Sequence, residues 1–457
     1  MSTPFRVAIV GAGPAGFYAA GELLKAKDGS VEVELFDRLP TPWGLVRAGV
    51  APDHPNIKAV TRVYEKTAAL PGFHYHGNVH VGRDISHEEL LAHHHAVVYS
   101  VGAPTDRKLG IPGEELKGSV GAADFVGWYN GHPDFRDLDL DLQVERAVVV
   151  GAGNVALDVA RMLGMPVAEL HTTDTADHAL EDLANSEIRD VFILARRGPL
   201  EAAYTNPELL ELGEIAGLDV VVDPQDVALD EATAAFVAEG ADKTRRRNVE
   251  IVTEYAGRTP SGAERRIHLR FLTSPVEILG TDRVEGVRIV RNELVTNDDG
   301  SVSARPTDRE EVIECGLVLR SIGYLGVELP GVPFDQRRGV IPNVEGRVTD
   351  LESGEPLPGV YTAGWIKRGP SGVIGTNKKD AQETVRVLLE DREAGRLADP
   401  SGDGAALHAL LDERVPDRID YDAWERINTH EKTTGEPHGR PRVKLVHVEK
   451  MVDIGKG

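Results

Sequence analysis

The 457-residue chain has almost no cysteine, no long apolar run and a deficit of positive charge. Cys315 is the only cysteine, which excludes an intramolecular disulfide, a redox-active dithiol and an iron–sulfur cluster held by this chain's own cysteines. No stretch approaches the ~20 apolar residues of a membrane-spanning helix, so we expect no insertion into a bilayer. The first residues lack the basic region of a secretory signal and the arginine-rich character of a transit peptide, so we expect a cytoplasmic protein.

The charge balance is strongly acidic. Lysine and arginine total 51, whereas aspartate and glutamate total 74, so the formal net charge is −23. A field of that sign repels the phosphate backbone, so nucleic acid is not an expected partner. The composition, with 41% hydrophobic and 27% charged residues, is typical of a globular protein. The length allows about three domains of ~150 residues, or two larger ones.

A glycine-rich loop lies between two apolar segments near the N-terminus. The short apolar run Val7 to Val10 leads into the sequence Gly11-Ala12-Gly13-Pro14-Ala15-Gly16. A predicted helix, Phe17 to Ala26, follows, and a second predicted strand ends at Asp37. This order of strand, GxGxxG, helix, strand and acidic residue is typical of a dinucleotide-binding unit.

Each residue of that pattern has a mechanical role. Gly11 permits the tight turn, Gly13 lets the backbone approach a pyrophosphate, and Gly16 lets the helix pack closely against the strand. The free N–H groups at the helix start attract phosphate oxygens. Asp37 can accept hydrogen bonds from ribose hydroxyl groups. The sequence therefore predicts a first dinucleotide site here.

A second unit of the same kind begins at Arg146. Its loop is Gly151-Ala152-Gly153-Asn154-Val155-Ala156, with alanine at the third glycine position, which is a recognised variant. Residues 165–190 look like an insertion, so the matching second strand, Val191 to Ala195, comes late. The strand is followed by Arg196 and Arg197 instead of an acid. Paired arginines would clamp a 2′-phosphate, so this unit is expected to select NADP over NAD.

The remaining segments frame these two units. Strand-like segments at Ala96 to Val101 and at Leu317 to Tyr324 predict a crossover into the second unit and a return from it. We therefore predict an α/β protein with two Rossmann-like domains, one of which is inserted into the other. The predicted domains are residues 1–104 with 325–457, and residues 105–324 between them. Val227 to Thr307 is interpreted as a β-rich elaboration of the inserted domain.

Four longer motifs resemble one family. They are Leu39 to Pro55 (LPTPWGLVRAGVAPDHP), Gly151 to Arg161 (GAGNVALDVAR), Arg196 to Pro199 (RRGP) and Gly364 to Asp380 (GWIKRGPSGVIGTNKKD). Together they resemble the adrenodoxin-reductase-type NADPH–ferredoxin reductases, including the actinobacterial members. The likeness extends from Val7 to the stretch Gly435 to Val443. It implies noncovalent FAD on the discontinuous domain, NADP(H) on the inserted domain, and a ferredoxin as the iron–sulfur acceptor of single electrons.

The resemblance also implies a set of cofactor-binding residues. Beside Gly11, Gly13 and Gly16, the FAD positions are Ala15, Asp37, Leu45, Val81, Trp365, Gly372, Val373 and Ile374. The NADP positions are Arg107, Gly153, Asn154, Val155, Arg196, Arg197, Glu208 and Gly372. Most relatives carry glutamate where Asp37 stands, so a water is expected to bridge the shorter side chain to the ribose. Broader flavin reductases have Gly-Asp in place of Gly364-Trp365, which favours the adrenodoxin-reductase group.

The resemblance further points to His54 and Glu211 as a catalytic polar pair near the flavin. Such a pair could orient the nicotinamide or relay a proton. The alternative is a turn residue at His54 and a surface charge at Glu211. The predicted helix from about Gly372 would aim its positive N-terminus at the negative charge of reduced flavin. No metal site is expected, because His93-His94-His95 has no suitably spaced partners.

Alternatives within and outside this class stay open. A flavin disulfide reductase needs a cysteine pair, which this chain lacks. An NADPH-dependent flavin reductase or diaphorase could instead use a flavodoxin or a small molecule as acceptor. A nucleotide-binding redox sensor without turnover is a further alternative. The sequence does not determine the oligomeric state, and a monomer is favoured.

The acidic charge raises a question about the acceptor. Ferredoxins are usually acidic, so docking requires a local positive patch on a chain of net charge −23. The densest basic run is Lys243 to Arg247 in the inserted domain. The alternative is a solvated run whose charge is balanced by Glu250 and Glu254.

Overall fold

The computed structural model describes residues 4–26, 30–228, 237, 240, 242–299 and 301–457. The strands within those residues, in chain order, are β1 (Phe5–Val10), β2 (Val31–Phe36), β3 (Phe73–His76), β4 (Ala96–Tyr99), β5 (Thr105–Asp106), β6 (Ser119–Gly121), β7 (Arg146–Val150), β8 (Asp190–Leu194), β9 (Leu218–Val222), β10 (Arg265–Arg270), β11 (Thr273–Leu279), β12 (Gly286–Thr296), β13 (Val302–Glu314), β14 (Leu317–Arg320), β15 (Tyr324–Leu325), β16 (Asn343–Val344), β17 (Arg347–Thr349) and β18 (Pro356–Thr362).

The α-helices of the described residues are α1 (Pro14–Leu23), α2 (Leu45–Ala48), α3 (Pro55–Lys58), α4 (Thr61–Ala68), α5 (His87–His93), α6 (Ala122–Tyr129), α7 (Asn154–Gly164), α8 (Val167–Leu170), α9 (Asp177–Ala184), α10 (Asn206–Leu212), α11 (Lys243–Ala256), α12 (Trp365–Arg368), α13 (Ile374–Glu393), α14 (Gly404–Arg414), α15 (Tyr421–Gly435) and α16 (Val448–Lys456). Single 3₁₀ turns lie at Leu24–Ala26, Pro133–Phe135, Pro199–Glu201, Pro224–Asp226 and Glu436–His438.

The chain divides into two compact units. Unit 1 consists of Met1–Thr105, Asn130–Pro133 and Tyr324–Gly457, and unit 2 consists of Asp106–Tyr129 and Asp134–Gly323. Unit 1 contains a seven-stranded sheet in the order β16-β17-β18-β4-β1-β2-β3. The five strands from β18 to β3 are parallel, and β16 and β17 extend the sheet with antiparallel pairing.

The sequence of β1 explains why it lies inside this sheet. All six residues from Phe5 to Val10 are buried, as a parallel strand covered on both faces requires. One face packs against Phe17 of α1, Leu388 of α13 and Trp424 of α15. The other face belongs to a second apolar cluster, which includes Leu407 of α14. The sheet is thus doubly wound, and its strand order reverses beside β1, which is where such folds bind ligands.

Unit 2 contains a six-stranded sheet in the order β6-β14-β7-β8-β10-β9, and every neighbouring pair in it is parallel. The glycine loop of unit 2 follows β7, at the point where the strand order reverses. A separate three-stranded antiparallel sheet joins β11, β12 and β13. These two doubly wound sheets confirm the predicted α/β class with two Rossmann-like units.

The β-rich interpretation of residues 227–307 is wrong in part. The helix α11 occupies Lys243–Ala256, and β10 belongs to the parallel sheet instead of to a β elaboration. The first six residues of α11 include no apolar residue, so its apolar periodicity covers only the rest of the helix, although Asp242 caps α11 by accepting from the Arg245 N–H at 2.9 Å. Tertiary contacts complete the helix, since the Tyr255 hydroxyl donates to the carbonyl of Leu209 at 2.9 Å. Part of this prediction, at 229–236, 238–239, 241 and 300, lies outside the described residues.

Within the described ranges, no helix combines the length and the hydropathy needed to cross a membrane.

Candidate functional site

The first glycine loop is held by backbone contacts that leave no room for side chains. Gly11 has φ +104°, and a Cβ added there would lie 2.6 Å from the carbonyl oxygen of Ser100. A Cβ added at Gly16 would overlap the carbonyl oxygen of Gly11. These two positions therefore require glycine for the turn itself and for the packing of α1 against β1.

Gly13 differs from both neighbours in the loop. Among the described residues, a Cβ added there would meet only the Cα of Gly44, at 3.9 Å, so close packing against those residues does not account for a glycine at this position. Gly13 is also the N-cap residue of α1, and no side chain caps that helix. The first N–H groups of α1 and the open side of Gly13 therefore suit a phosphate group.

Asp37 follows the end of β2 and is half-buried beside this loop. Its Oδ2 accepts from the N–H of Ala12 at 2.9 Å, and its Oδ1 accepts from the N–H of Leu39 at 2.9 Å. Burial raises the pKa of the carboxyl group, against the lowering effect of those two bonds. Asp37 thus holds the loop in place, and each oxygen keeps a second lone pair for a ligand hydroxyl.

The segment that follows β2 is braced from the C-terminal part of the chain. Arg47, at the end of this segment's short helix α2, is buried and forms a bidentate pair with Glu431 of α15, at 2.8 and 2.5 Å. Arg442 also donates to Glu431, at 3.1 Å. Leu45 at the start of α2 is 42% exposed, whereas Val81 is buried. The brace fixes the backbone that presents Leu45.

The motif from Gly364 to Asp380 forms the second wall of unit 1's candidate site. Gly364 donates its N–H to the carboxylate of Asp380, which also pairs with Lys367 at 3.2 Å. The buried Nε1 of Trp365 has no hydrogen-bond partner among the described residues. An indole N–H left in this state is a donor that a bound group could satisfy.

The start of α13 agrees with the sequence prediction to within two residues. The helix begins at Ile374, and its N-cap Val373 offers no side-chain cap. Gly372 has φ +79°, a conformation that favours glycine. Val373 is an apolar side chain with 61% exposure. An uncapped helix N-terminus beside an exposed apolar residue suits a flat, electron-rich ring.

The second glycine loop, in unit 2, repeats the first with one change. Gly151 has φ +139°, and a Cβ added there would overlap the carbonyl oxygen of Ser321. A Cβ added to Gly153 would meet no described atom within 4 Å. Ala156, at the third position, is fully buried, so the helix α7 lies far enough from the loop to accept a methyl group. No side chain caps α7, whose N-cap is Gly153.

Asn154 joins α7 to the next functional segment. Its Oδ1 accepts from the N–H of Thr205 at 2.8 Å, and Thr205 is the N-cap residue of α10. Ala203 donates its N–H to the carbonyl of Ala152 at 2.8 Å, which ties the same segment to the glycine loop. The loop and the start of α10 are therefore one structural element.

The two predicted arginines follow the end of β8. The side chain of Arg196 is exposed, and Arg197 is half-buried, with a contact of 3.4 Å from its guanidinium to the carbonyl of Val302. Their backbone is fixed, because Asn292 donates to the carbonyl of Arg196 at 2.8 Å and Leu272 donates to that of Arg197 at 3.1 Å. Two guanidinium groups are thus displayed beyond the carboxyl end of β8.

Arg161 of α7 is a site residue that the sequence did not predict. It is buried and lies close to three carboxylates: Asp158 at 2.6 Å, Glu208 at 3.5 Å and Glu211 at 3.6 Å. Since Glu208 and Glu211 are both on α10, Arg161 holds two predicted site residues on one face of that helix. An arginine in the last turn of a nucleotide-binding helix is the signal that could have found it.

The other predicted site residues are distributed over both units. His54 is half-buried in unit 1, where it is the N-cap residue of α3. Glu211 is in unit 2. Arg107 is half-buried in unit 2 and donates its N–H to the carbonyl of Gly323 at 2.9 Å. The roles of His54 and Glu211 stay predictions.

The basic run Lys243 to Arg247 lies in the first turns of α11. Arg247 pairs with Glu250 at 2.9 Å and with Glu254 at 3.2 Å. For this arginine, the balancing glutamates of the alternative interpretation are in contact, which weakens the positive field of the run.

Comparisons with known proteins agree with these features. Residues 5–197 match the family of pyridine nucleotide-disulphide oxidoreductases. The chain is 49% identical to NADPH-ferredoxin reductase FprA of Mycobacterium leprae, over 99% of this chain and 98% of that protein. It is 43% identical to the mitochondrial NADPH:adrenodoxin oxidoreductase of Salvelinus fontinalis, over 99% and 91%.

A solved structure is similarly close. The structure of Mycobacterium tuberculosis FprA in complex with NADPH superposes with a TM-score of 0.94 at 47% identity, covering 99% of this chain and 100% of that one. Cys315 is the single cysteine of this chain, and its burial raises the pKa of the thiol to about 12. A disulfide within the chain needs two cysteines, so this chain cannot perform the disulfide chemistry that the broad family is named for. The resemblance inferred from the four motifs is confirmed: this chain is an oxidoreductase that belongs to the family of NADPH–ferredoxin reductases.

Proposed function

We propose that this protein binds FAD without a covalent bond in unit 1 and NADPH in unit 2, and that it passes single electrons to a ferredoxin-type iron–sulfur protein. When bound, FAD supplies the step that a polypeptide cannot perform: it accepts a hydride from NADPH and releases the two electrons one at a time. The protein binds and orients the two nucleotides and controls the local charge.

The observation that carries the proposal is a contrast between two strand ends. In unit 1 the second strand of the nucleotide motif is followed by Asp37, whereas in unit 2 it is followed by Arg196 and Arg197. A carboxylate accepts hydrogen bonds from free ribose hydroxyls but repels a 2′-phosphate. Guanidinium groups instead attract the 2′-phosphate. Two cofactors of different charge, FAD and NADPH, fit this pair of sites.

Unit 1's residues fit FAD by their local chemistry. In our proposal the open side of Gly13 and the uncapped start of α1 receive the pyrophosphate, while Asp37 binds the ribose. Ala15, Gly11 and Gly16 shape the turn that presents these groups. Leu45, Val81, Trp365 and the run Gly372, Val373 and Ile374 are assigned to the flavin side.

Unit 2's residues fit NADPH in the same way. Gly153, Val155 and the uncapped start of α7 receive the pyrophosphate, and Arg196 and Arg197 bind the 2′-phosphate. Arg107 adds a further cation. Asn154 and Arg161 act through α10, which they hold in place, so Glu208 keeps a defined position beside the nucleotide.

Two tests address the cofactors. Acid denaturation of the purified protein should release FAD, and chromatography that finds FMN or no flavin would contradict the assignment to unit 1. Turnover with ferricyanide should be far faster with NADPH than with NADH. Equal rates with both nucleotides would contradict the assignment of Arg196 and Arg197.

The acceptor requires a separate test. Purified 2Fe–2S and 4Fe–4S ferredoxins, a flavodoxin and ferricyanide can be compared under NADPH at one ionic strength. A ferredoxin reductase should saturate with at least one ferredoxin at micromolar concentration. If only the flavodoxin or small molecules are reduced, the protein is a diaphorase with another acceptor, and the ferredoxin part of the proposal fails.

His54 and Glu211 are proposed to orient the nicotinamide or to relay a proton. In stopped-flow measurements, His54→Gln should slow the reduction of flavin by NADPH while the FAD content stays unchanged. His430→Gln, an exposed position on α15, is the matched control. Identical half-reaction rates in both variants would assign His54 to the turn alone.

A further inference from the structure

A cluster of three histidines and one glutamate lies in unit 1, outside the residues assigned to either nucleotide. Glu34 is on β2, His74 and His76 are on β3, and His408 is on α14. Alternation along β3 puts both of its histidines on one face, and the strand register places His74 opposite Glu34. The cluster thus connects two strands and the helix that covers them.

The hydrogen bonds divide these four residues into two roles. Arg418 donates to Nδ1 of His76 at 2.6 Å, so the proton of neutral His76 is on Nε2, which donates to Oε2 of Glu34. His76 therefore orients the glutamate and has no free lone pair for a ligand. His408 contacts the other oxygen, with 3.2 Å between its Nε2 and Oε1 of Glu34.

We propose that Glu34, His74 and His408 form a three-ligand site for Zn²⁺ or a divalent transition metal of similar preference. One ligand atom from each residue lies within 4.8 Å of the other two. A tetrahedral zinc with bonds of about 2.0–2.2 Å needs ligand atoms about 3.3–3.5 Å apart. The Nε2 of His408 lies 3.2 Å from Oε1 and 3.4 Å from Oε2 of Glu34, close to that spacing, and the half-buried His74 completes the group within the 4.8 Å limit.

The donor set decides the class of metal. Two imidazole nitrogens and one carboxylate oxygen suit zinc, copper or nickel, whereas calcium and magnesium require oxygen ligands alone. A bound metal ion takes the place of the proton between His408 and Glu34. The buried carboxylate of Glu34 therefore still has a positively charged partner. His76 then acts as the outer partner that holds a ligating carboxylate in position.

Exposure makes the site accessible. The side chain of His408 is 37% exposed, while that of Glu34 is only 2% exposed. A metal could therefore enter from solvent and keep water as its fourth ligand, with the carboxylate as its buried anchor. Bound metal would fasten α14 to β2 and β3 and would raise the stability of the protein by mass action.

The test uses the FAD-loaded protein after treatment with a chelator. Calorimetric titration with Zn²⁺ should give one site per chain, and Co²⁺ should give the visible absorption bands of a tetrahedral complex, which Zn²⁺ then abolishes. His74→Gln and His408→Gln should each weaken Zn²⁺ binding by at least about 10- to 100-fold, as loss of a direct ligand exceeds the effect of an outer partner. His430→Gln is the control and should bind as the parent does.

Turnover of NADPH with ferricyanide should be the same in both variants and the parent, so failure of the metal site is distinguishable from failure of the proposed function. The inference is overturned if the parent binds no Zn²⁺, or if it binds with equal affinity in His74→Gln, His408→Gln and His430→Gln. Should either variant fail to fold, the Co²⁺ spectrum of the parent decides alone. Octahedral bands or no bands there would equally reject the site.

Discussion

The two glycine loops of this protein use the same turn with different tolerance at its third position. In unit 1, a methyl group at Gly16 would overlap the carbonyl oxygen of Gly11, because α1 packs tightly against the end of β1. In unit 2, Ala156 occupies the equivalent position and is fully buried. The pattern alone therefore does not determine the distance between helix and loop. That distance is a property of each unit's packing.

The loops differ also in how their helices start. Unit 1 has Pro14 at the first helical position, whereas unit 2 has Asn154 there, and the Asn154 side chain accepts the N–H of Thr205, the N-cap residue of α10. Unit 1 ends its motif with an acid and unit 2 with two arginines. Under the proposed function, the same glycine turn binds a different nucleotide in each unit, because the side chains around the turn differ in charge.

The largest expected effect tests the tight packing of unit 1. Gly16→Ala forces a methyl group against backbone atoms. We therefore expect the free energy of unfolding to fall by about 1–3 kcal/mol or more, which lowers the melting temperature, and we expect the FAD content to drop sharply. The flavin absorbance per chain and a thermal melt measure both quantities. Ala156→Gly, the reverse change in unit 2, should cost only about 0.5–1 kcal/mol through helix propensity and leave FAD bound. If Gly16→Ala retained FAD and stability, the packing comparison would be wrong.

The second effect concerns the charge that follows β8. Arg196→Ala or Arg197→Ala removes a charge-assisted hydrogen bond worth roughly 1.5–3 kcal/mol, so the KM for NADPH should rise about 10- to 150-fold while that for NADH hardly changes. Steady-state kinetics with ferricyanide measure both constants. Arg309→Ala, at an exposed position of unit 2, is the matched control. Equal losses with both nucleotides would mean that these arginines do not contact a 2′-phosphate.

The third effect concerns the hydrogen bond that ties the glycine loop of unit 2 to α10. Asn154→Ala removes the acceptor for the N–H of Thr205, so stability should fall by about 0.5–1.5 kcal/mol, the net worth of a typical hydrogen bond. Asn154→Asp keeps an acceptor oxygen and should preserve the melting temperature, yet it adds negative charge beside the phosphate site and should weaken NADPH binding. Equal melting temperatures for the parent and both variants would show that this hydrogen bond contributes nothing to stability.

The fourth effect is a pH dependence in unit 2. Burial raises the pKa of Asp106 to about 7, despite the N–H that Ala123 donates to it at 2.8 Å. A raised pKa means that its contribution to stability is complete below pH ~4, where the unfolded chain is also protonated, and is lost as the pH rises through 7. The side chain of Asp106→Asn stays neutral. The melting temperature of this variant, relative to that of the parent, should therefore rise between pH 5 and pH 8. A constant difference over that range would contradict the raised pKa.

Much of the fold was predictable because both nucleotide motifs are local. The run Val7 to Val10, the glycines after it and the acid at Asp37 lie within one strand–helix–strand segment, so their periodicity and spacing carry the structure. The helix α11 was missed because its stability depends on distant partners such as Leu209, and the first six residues of its own sequence include no apolar residue. The crossover strands β4 and β14 were found because each is a continuous apolar run, typical of a buried parallel strand.

Site residues that directly follow a predicted strand could be predicted from the sequence. Contacts between residues far apart in the chain could not. Arg196 and Arg197 follow a strand directly, so their display at its carboxyl end is implied by topology. The bond from Thr205 to Asn154 spans 51 residues, and the pair Arg47–Glu431 spans 384. No spacing rule reaches such distances.

The sequence by itself determined the two nucleotide motifs, the opposite charges that follow them, and the absence of a redox dithiol, because each depends on residue type and short-range order. The tertiary structure decided which glycine is replaceable, how Arg161 and Asn154 hold α10, and that Glu34, His74 and His408 meet. These features depend on backbone distances between elements far apart in the chain. Such distances are set when the apolar faces of many elements pack together, so the sequence of a short segment does not determine them.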